Sequence, residues 1–156
     1  MPLTKISTTL ALLTTAAAVG VGPMISADVA HAAAKPKCEL AKAVQKAQNS
    51  LTKIAEANPD PVKGYLAGTD NVINAMKALE ASLTGDQKAI MTAVRKQQEK
   101  IRRAVAKAPK GSNLAEPAVA VMTDFTPQAA KASEAFDKLY PAIDNACGTQ
   151  LGGRGR

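Results

Sequence analysis

Apolar residues recur at intervals of four and three along most of the chain from Leu40 to Ala146, and no stretch alternates polar with apolar residues. That spacing puts the apolar side chains on one side of an α-helix, whereas a half-buried strand needs a period of two. The pattern therefore confines the chain to an all-α fold. The first segment carries Leu40, Val44, Ala47, Leu51 and Ile54. The second carries Tyr65, Thr69, Val72, Met76, Leu79 and Leu83, widened by Val62, Leu66 and Ile73. The third shows Ile90, Val94, Ile101 and Val105, with Gln97 interrupting the stripe. The fourth runs from Val119 through Met122, Phe125, Ala132, Phe136, Leu139 and Ile143 to Cys147.

The boundaries have their own chemistry. Asp60 before Pro61 reads as a helix N-cap followed by a proline at the first helical position. Thr84 with Gln87, and Asn113 with Glu116, have the spacing of capping boxes. Pro109 and Gly111 mark a turn. Thr126-Pro127 interrupts the fourth segment, because a proline inside a helix loses a hydrogen bond and collides with the preceding turn, so the helix either kinks or breaks there, with Thr126 able to cap a fresh one. The expectation is an antiparallel bundle of four main helices, the fourth kinked at Pro127, with Pro141 threatening a second kink. Short turns favour antiparallel neighbours, which would bring the start of the first helix beside the end of the fourth.

Cys38 and Cys147 stand at those two places, 109 positions apart. They are the only cysteines, and in an exported chain an even pair reads as a disulfide. Export is expected from the N-terminus. Lys5, an apolar stretch over Leu10–Val21 and the small-residue sites ending at Ala32 and Ala34 are the marks of a cleavable secretory signal. The expected organisation is a signal peptide over 1–34, a helical domain over 35–147 and a flexible tail over 148–156. Cleavage would remove His31, the only histidine. Ser–His and Cys–His nucleophile systems and histidine metal sites are thereby lost. Asp124, Glu134, Asp137 and Asp144 are scattered, with no di-metal motif among them, so the expectation is a secreted, non-catalytic binding protein with no metal.

Charge supplies one candidate surface. The net charge is +7, and the segment 86–110 holds eight Lys or Arg against two acids. Lys96, Lys100, Arg103, Lys107 and Lys110 follow spacings of 4, 3, 4 and 3, opposite the apolar stripe. Such a row is either the solvated face of an amphipathic helix or a docking stripe for an anionic partner. An acidic cell-envelope polymer or a membrane surface would suit it, and a protein partner stays open. Nucleic acid suits it least, since no aromatics interleave the charges. Arg95, Arg102 and Arg103 would be the residues to furnish a dianion site.

Gly64 and Gly68, four apart beside Tyr65, supply the other. Glycine costs about 1 kcal/mol against alanine inside a helix, so the pair implies either a closely approaching helix or a smooth wall for a flat ligand. The stretch YLAGTDNVINAMKAL, Tyr65 to Leu79, resembles a segment of the small secreted haem-binding (haemophore-like) proteins of actinobacteria. The resemblance implies an exported, helical, disulfide-closed haem carrier, with Tyr65 at the tyrosine associated with haem contact. Thr69 stands where that family has a histidine. On this alternative Tyr65, Gly68 and Met76 would contact haem or another small apolar ligand.

Overall fold

A computed structural model describes residues 36–109, 113–124 and 126–152. The expected signal segment 1–34, Lys110, Phe125 and the last four residues of the expected tail lie outside them. Among the described residues the chain is helical throughout and holds no strand. The elements are α1 (Cys38–Ala57), α2 (Pro61–Ser82), α3 (Gly85–Ala106), α4 (Ala115–Met122), α5 (Pro127–Glu134), a π turn (Ala135–Leu139) and α6 (Tyr140–Cys147). The last three follow one another without a break. No helix among the described residues is long and apolar enough to cross a membrane.

Local chemistry explains most boundaries. Asp60 Oδ1 accepts from the N–H groups of Val62 (3.0 Å) and Lys63 (3.3 Å), and Pro61 occupies the first helical position. Both groups lack intrahelical partners, so the cap satisfies them. The Thr84–Gln87 capping box does not form: Thr84 makes no side-chain cap bond and Gln87 Oε1 is buried without a partner. Gly85 adopts φ +53° there, a conformation that glycine enters readily, and the helix starts through that turn instead.

The fourth helix is not one kinked rod. α4 ends at Met122, Thr126 is extended (φ −94°, ψ 156°), and its Oγ1 accepts from Ala129 N at 3.1 Å to open α5 afresh. A residue before proline is pushed out of the helical region, so the chain breaks at Thr126-Pro127. Pro141 is absorbed differently. Tyr140 N–H reaches back five residues to Ala135 O, and this local π register lets the rod run on past a residue that cannot donate.

The expected tail also differs over its described part. Gly148 ends α6 at φ +63°, the usual left-handed stop. Thr149 Oγ1 (2.6 Å) and Leu151 N (2.9 Å) then both donate to Asp144 Oδ1, which folds Leu151 back into the core. Cys38 and Cys147 are bonded, their Cα atoms 5.0 Å apart.

α1 packs on α2, α2 on α3, α3 on α4 and α5, and α6 returns to α1 beside the disulfide. The two glycines serve the first of these contacts. A Cβ on Gly64 would stand 2.8 Å from Ala55 O, and one on Gly68 would stand 3.3 Å from Leu51 Cα. The buried apolar residues fall into two clusters. The larger gathers Val44, Met76, Leu79, Met91, Leu139 and Ile143 among others. The smaller gathers Tyr65, Ile101, Val105, Leu114, Ala118 and Val121.

Candidate ligand-binding site

The seam between the two clusters is hollow. One lobe, of about 50 Å³, lies among Tyr65 and Thr69 of α2, Leu51 of α1 and Ala118 of α4. A second, of about 170 Å³, extends past Gln97 of α3 to Phe136, Tyr140 and Leu151. The lobes share Gln48, Met76, Gln98, Ile101 and Met122 as walls, so they are adjoining compartments of one site. No Asp, Glu, Lys or Arg among the described residues lines either lobe.

Each residue reaches the seam for a local reason. Tyr65, Thr69 and Met76 follow the α2 stripe, one to three turns apart. Gln97 breaks the α3 stripe and so projects a polar group where Ile or Val would fill space. Its Nε2 donates to Val121 O at 3.0 Å. That bond fixes the amide orientation and leaves Oε1, a pure acceptor, buried with no partner. Thr69, only 2% exposed, lines the smaller lobe, and its Oγ1 likewise completes no hydrogen bond of good geometry. Burial pushes the Tyr65 hydroxyl above its ordinary pKa, partly offset by its interaction with Thr69. Tyr140 is pushed up by burial and by the nearby Asp144 charge. Its ring meets Phe136 edge to face, centroids 5.4 Å apart, an arrangement favoured by the ring quadrupoles.

Comparison with family models, curated proteins and solved structures finds no match. Function is therefore argued from the seam and the surface.

Of the three residues named for the haem or apolar-ligand alternative, Tyr65 and Met76 meet at the smaller lobe, and Gly68 does not. The Gly68 side of α2 is occupied by Leu51 of α1, so the glycine pair makes a close helix contact rather than a ligand wall. Gln48, Gln97, Gln98 and Met122 were not marked as site residues by the sequence. Gln97 carried a signal, as a polar residue on an apolar stripe. Met122 lies on the fourth segment's apolar stripe and read as core, and Gln48 and Gln98 carried no signal.

The basic stripe is thinner than the charge count suggests. Lys96, Arg103 and Lys107 are exposed, with no ion pair among the described residues. Lys100 is paired with Asp124. Arg102 binds Asp70 through two bonds (2.5 and 2.8 Å), and Arg95 bridges Glu80 and Glu99. Two of the three arginines named for a dianion site are thus taken up in holding α3 to α2 and to its own next turn. No group of three or more His, Cys, Asp or Glu among the described residues is placed to hold a metal.

Proposed function

We propose that this chain is an exported, non-catalytic binding protein that holds a small neutral molecule in the seam of an antiparallel helical bundle closed by Cys38–Cys147. One observation carries the reading: a cleft with no charged residue in its lining among the described residues, walled by Met76, Met122 and Phe136, runs along the seam between the two core clusters. Methionine walls adapt to varied shapes, which suits a binding site better than a fixed core. Export is supported by the features of residues 1–34 and by a disulfide, which belongs to oxidising compartments.

Three features favour a smaller ligand over haem. The larger lobe, at about 170 Å³, falls well below the roughly 300–1,000 Å³ of drug-sized ligand sites. Burial of Tyr65 disfavours the tyrosinate that would ligate iron, and Gly68 opens no face for a flat ring.

Protein purified from the medium of its own producer should release a small neutral molecule on denaturation, read by mass spectrometry. One-ring apolar probes should shift the ¹³C-methyl signals of Met76 and Met122. Empty extracts together with unresponsive methionines would end this reading.

A second surface is favoured by a separate observation. Lys96, Arg103 and Lys107 stay exposed, with no ion pair among the described residues, while Arg95, Lys100 and Arg102 on the same helix are paired. We read the unpaired face as a contact for an anionic envelope polymer or membrane. Lys96→Glu with Arg103→Glu and Lys107→Glu should abolish salt-sensitive retention on anionic vesicles with the helical circular dichroism unchanged. Equal retention would return the face to a solvated one.

A further inference from the structure

We infer that α1 carries a second basic row, facing away from that of α3, and that the two rows let one molecule tie together strands of a long, flexible, linear polyanion. The inference rests on the exposed α3 face being an anion contact, as proposed above, and adds a second contact, a partner class and a valence.

The two rows match. Lys42, Lys46 and Lys53 of α1 are exposed and close no ion pair among the described residues. Their spacings of four and seven keep them within about 40° of one another around the helix. Lys96, Arg103 and Lys107 repeat the spacings in reverse order, seven then four. Each row thus runs about 16 Å along its helix, at 1.5 Å per residue. The acids of α1, Glu39 and Glu56, stand about one turn beyond either end of its row, so the strip itself holds no negative charge. Elsewhere Arg95, Lys100, Arg102, Lys131 and Lys138 are taken up by acids of the molecule itself. Lys63 and Lys88 are exposed without a pair among the described residues, but they stand singly.

The rows point apart. Gln48 of α1 faces Gln98 and Ile101 of α3 across the seam, as walls of one lobe, and both helices pack on α2. Each row lies on the far side of its helix from those residues. Helices with their side chains are about 10–12 Å wide, so the rows stand more than about 20 Å from each other. The screening length is about 8 Å at physiological ionic strength. Neighbouring cations within a row, about 6 and 10 Å apart along the axis, therefore act together, while the two rows act independently.

That arrangement suits a strand better than a surface. A flat membrane meets one row at a time, and an interfacial helix needs a free apolar face to sink. Here α1 and α3 spend their apolar faces on the core, and the one large apolar residue exposed among the described residues, Val119, belongs to α4. A row one residue wide fits a linear chain of repeated negative charge. Two rows pointing apart give such a chain two points of attachment, which strengthens binding once the chain is long enough to use both.

Inorganic polyphosphate supplies the probe, as an oligomer just long enough to cover one row and as a chain many times longer. Calorimetric titration of the oxidised protein at physiological ionic strength should count two oligomers per molecule. With the long chain, light scattering should rise as strands are joined and fall again in excess polymer. Lys42→Glu with Lys46→Glu and Lys53→Glu should reduce the count to one and abolish the scattering, and Lys96→Glu with Arg103→Glu and Lys107→Glu should do the same. A control of equal net charge, Lys63→Glu with Lys77→Glu and Lys88→Glu, should keep both sites and the scattering. The wild-type count needs no variant, so a poorly folded one leaves the proposal open to refutation. One oligomer per wild-type molecule, kept in the α1 variant and lost in the α3 variant, overturns the second row and leaves the α3 contact standing. Loss of a site in the control shows that net charge alone binds, and overturns both rows. Retention on phosphatidylglycerol vesicles without polyphosphate binding overturns the polymer in favour of a membrane. Binding of neither probe overturns the inference together with the α3 contact.

Discussion

Alanine at Gly64 provides a sharp test of how α1 and α2 pack, because two effects of known sign oppose each other. Helix propensity alone favours alanine over glycine by up to about 1 kcal/mol. The new methyl, however, would stand 2.7 Å from Asn58 Cβ, 2.8 Å from Ala55 O and 2.9 Å from Ala55 Cα. Two of those three atoms are backbone, so no side-chain rotation relieves the contact, and α1 must move off α2. Overpacking of this kind costs roughly 1–3 kcal/mol, and backbone contacts under 3.0 Å put this one in the upper half, which leaves a net loss of about 1–2 kcal/mol once propensity is subtracted. Gly68→Ala meets its nearest atoms at 3.3 Å, one of them the Leu51 side chain. A shift of a few tenths of an ångström relieves it, so its loss should be the smaller of the two. Urea unfolding of both variants with the disulfide intact, followed by circular dichroism, gives the two midpoints. A Gly64→Ala protein as stable as wild type, or more stable, would refute the close approach.

Three further outcomes follow from the geometry. Cys38→Ser should lower stability by up to about 4–5 kcal/mol on the chain-entropy estimate, since the bridge spans 109 positions, and reductant should lower the wild-type urea midpoint in the same direction. Both tyrosines, Tyr65 and Tyr140, are held above their ordinary value of 10.0, chiefly by burial. The unfolded chain therefore ionises first as pH rises. Tyrosinate absorbance at 295 nm should stay flat near pH 10 and then climb together with loss of helix, whereas an independent early titration would show that the rings are not buried. Lys131 lowers the Asp86 carboxyl and Lys138 that of Glu134, while at Glu80 burial raises the value and Arg95 with Thr92 outweigh it. Depressed folded values mean that the unfolded chain takes up protons first as pH falls. Stability should thus be full above the ordinary values of 4.5 for Glu80 and Glu134 and 3.8 for Asp86, and decline below them. Urea midpoints from pH 6 down to pH 2.5 check this, and Lys131→Met should flatten the decline.

Helices α1 to α3 were legible because each buries an apolar stripe, broken in α3 at Gln97, and burial on one face is what a 3.6-residue period records. Asp60 was legible because a cap bond is made within three residues of itself. The break at Thr126-Pro127 was visible as residue types. Whether the stripe survived it as one kinked rod depended on α4 and α5 each finding room on α3, which no local pattern encodes. The Thr84–Gln87 capping box failed because Gly85 took a backbone conformation that the motif does not anticipate. The π turn left no trace in the spacing. The cavity was the least legible feature. Tyr65 and Met76 share one helix and one stripe, so they could be paired in advance. Gln48, Gln97 and Met122 come from three other helices, and they surround a place where side chains fail to meet.

The small helix α4 has a consequence of its own. It rests mainly on α3, fastened by Gln97 Nε2 to Val121 O and by Lys100 to Asp124, and it supplies Met122 to both lobes. It belongs to the smaller core cluster, while the disulfide ties together helix ends whose residues belong to the larger one. The bridge therefore does nothing to restrain the one wall that can leave without unmaking the rest. Backbone amides of α4 should exchange with solvent ahead of those in α1, α2 and α6, and lifting α4 exposes the seam from the side. The seam is already partly open to solvent, so loosening of α4 would set how firmly Met122 closes on a bound molecule and not whether it can enter.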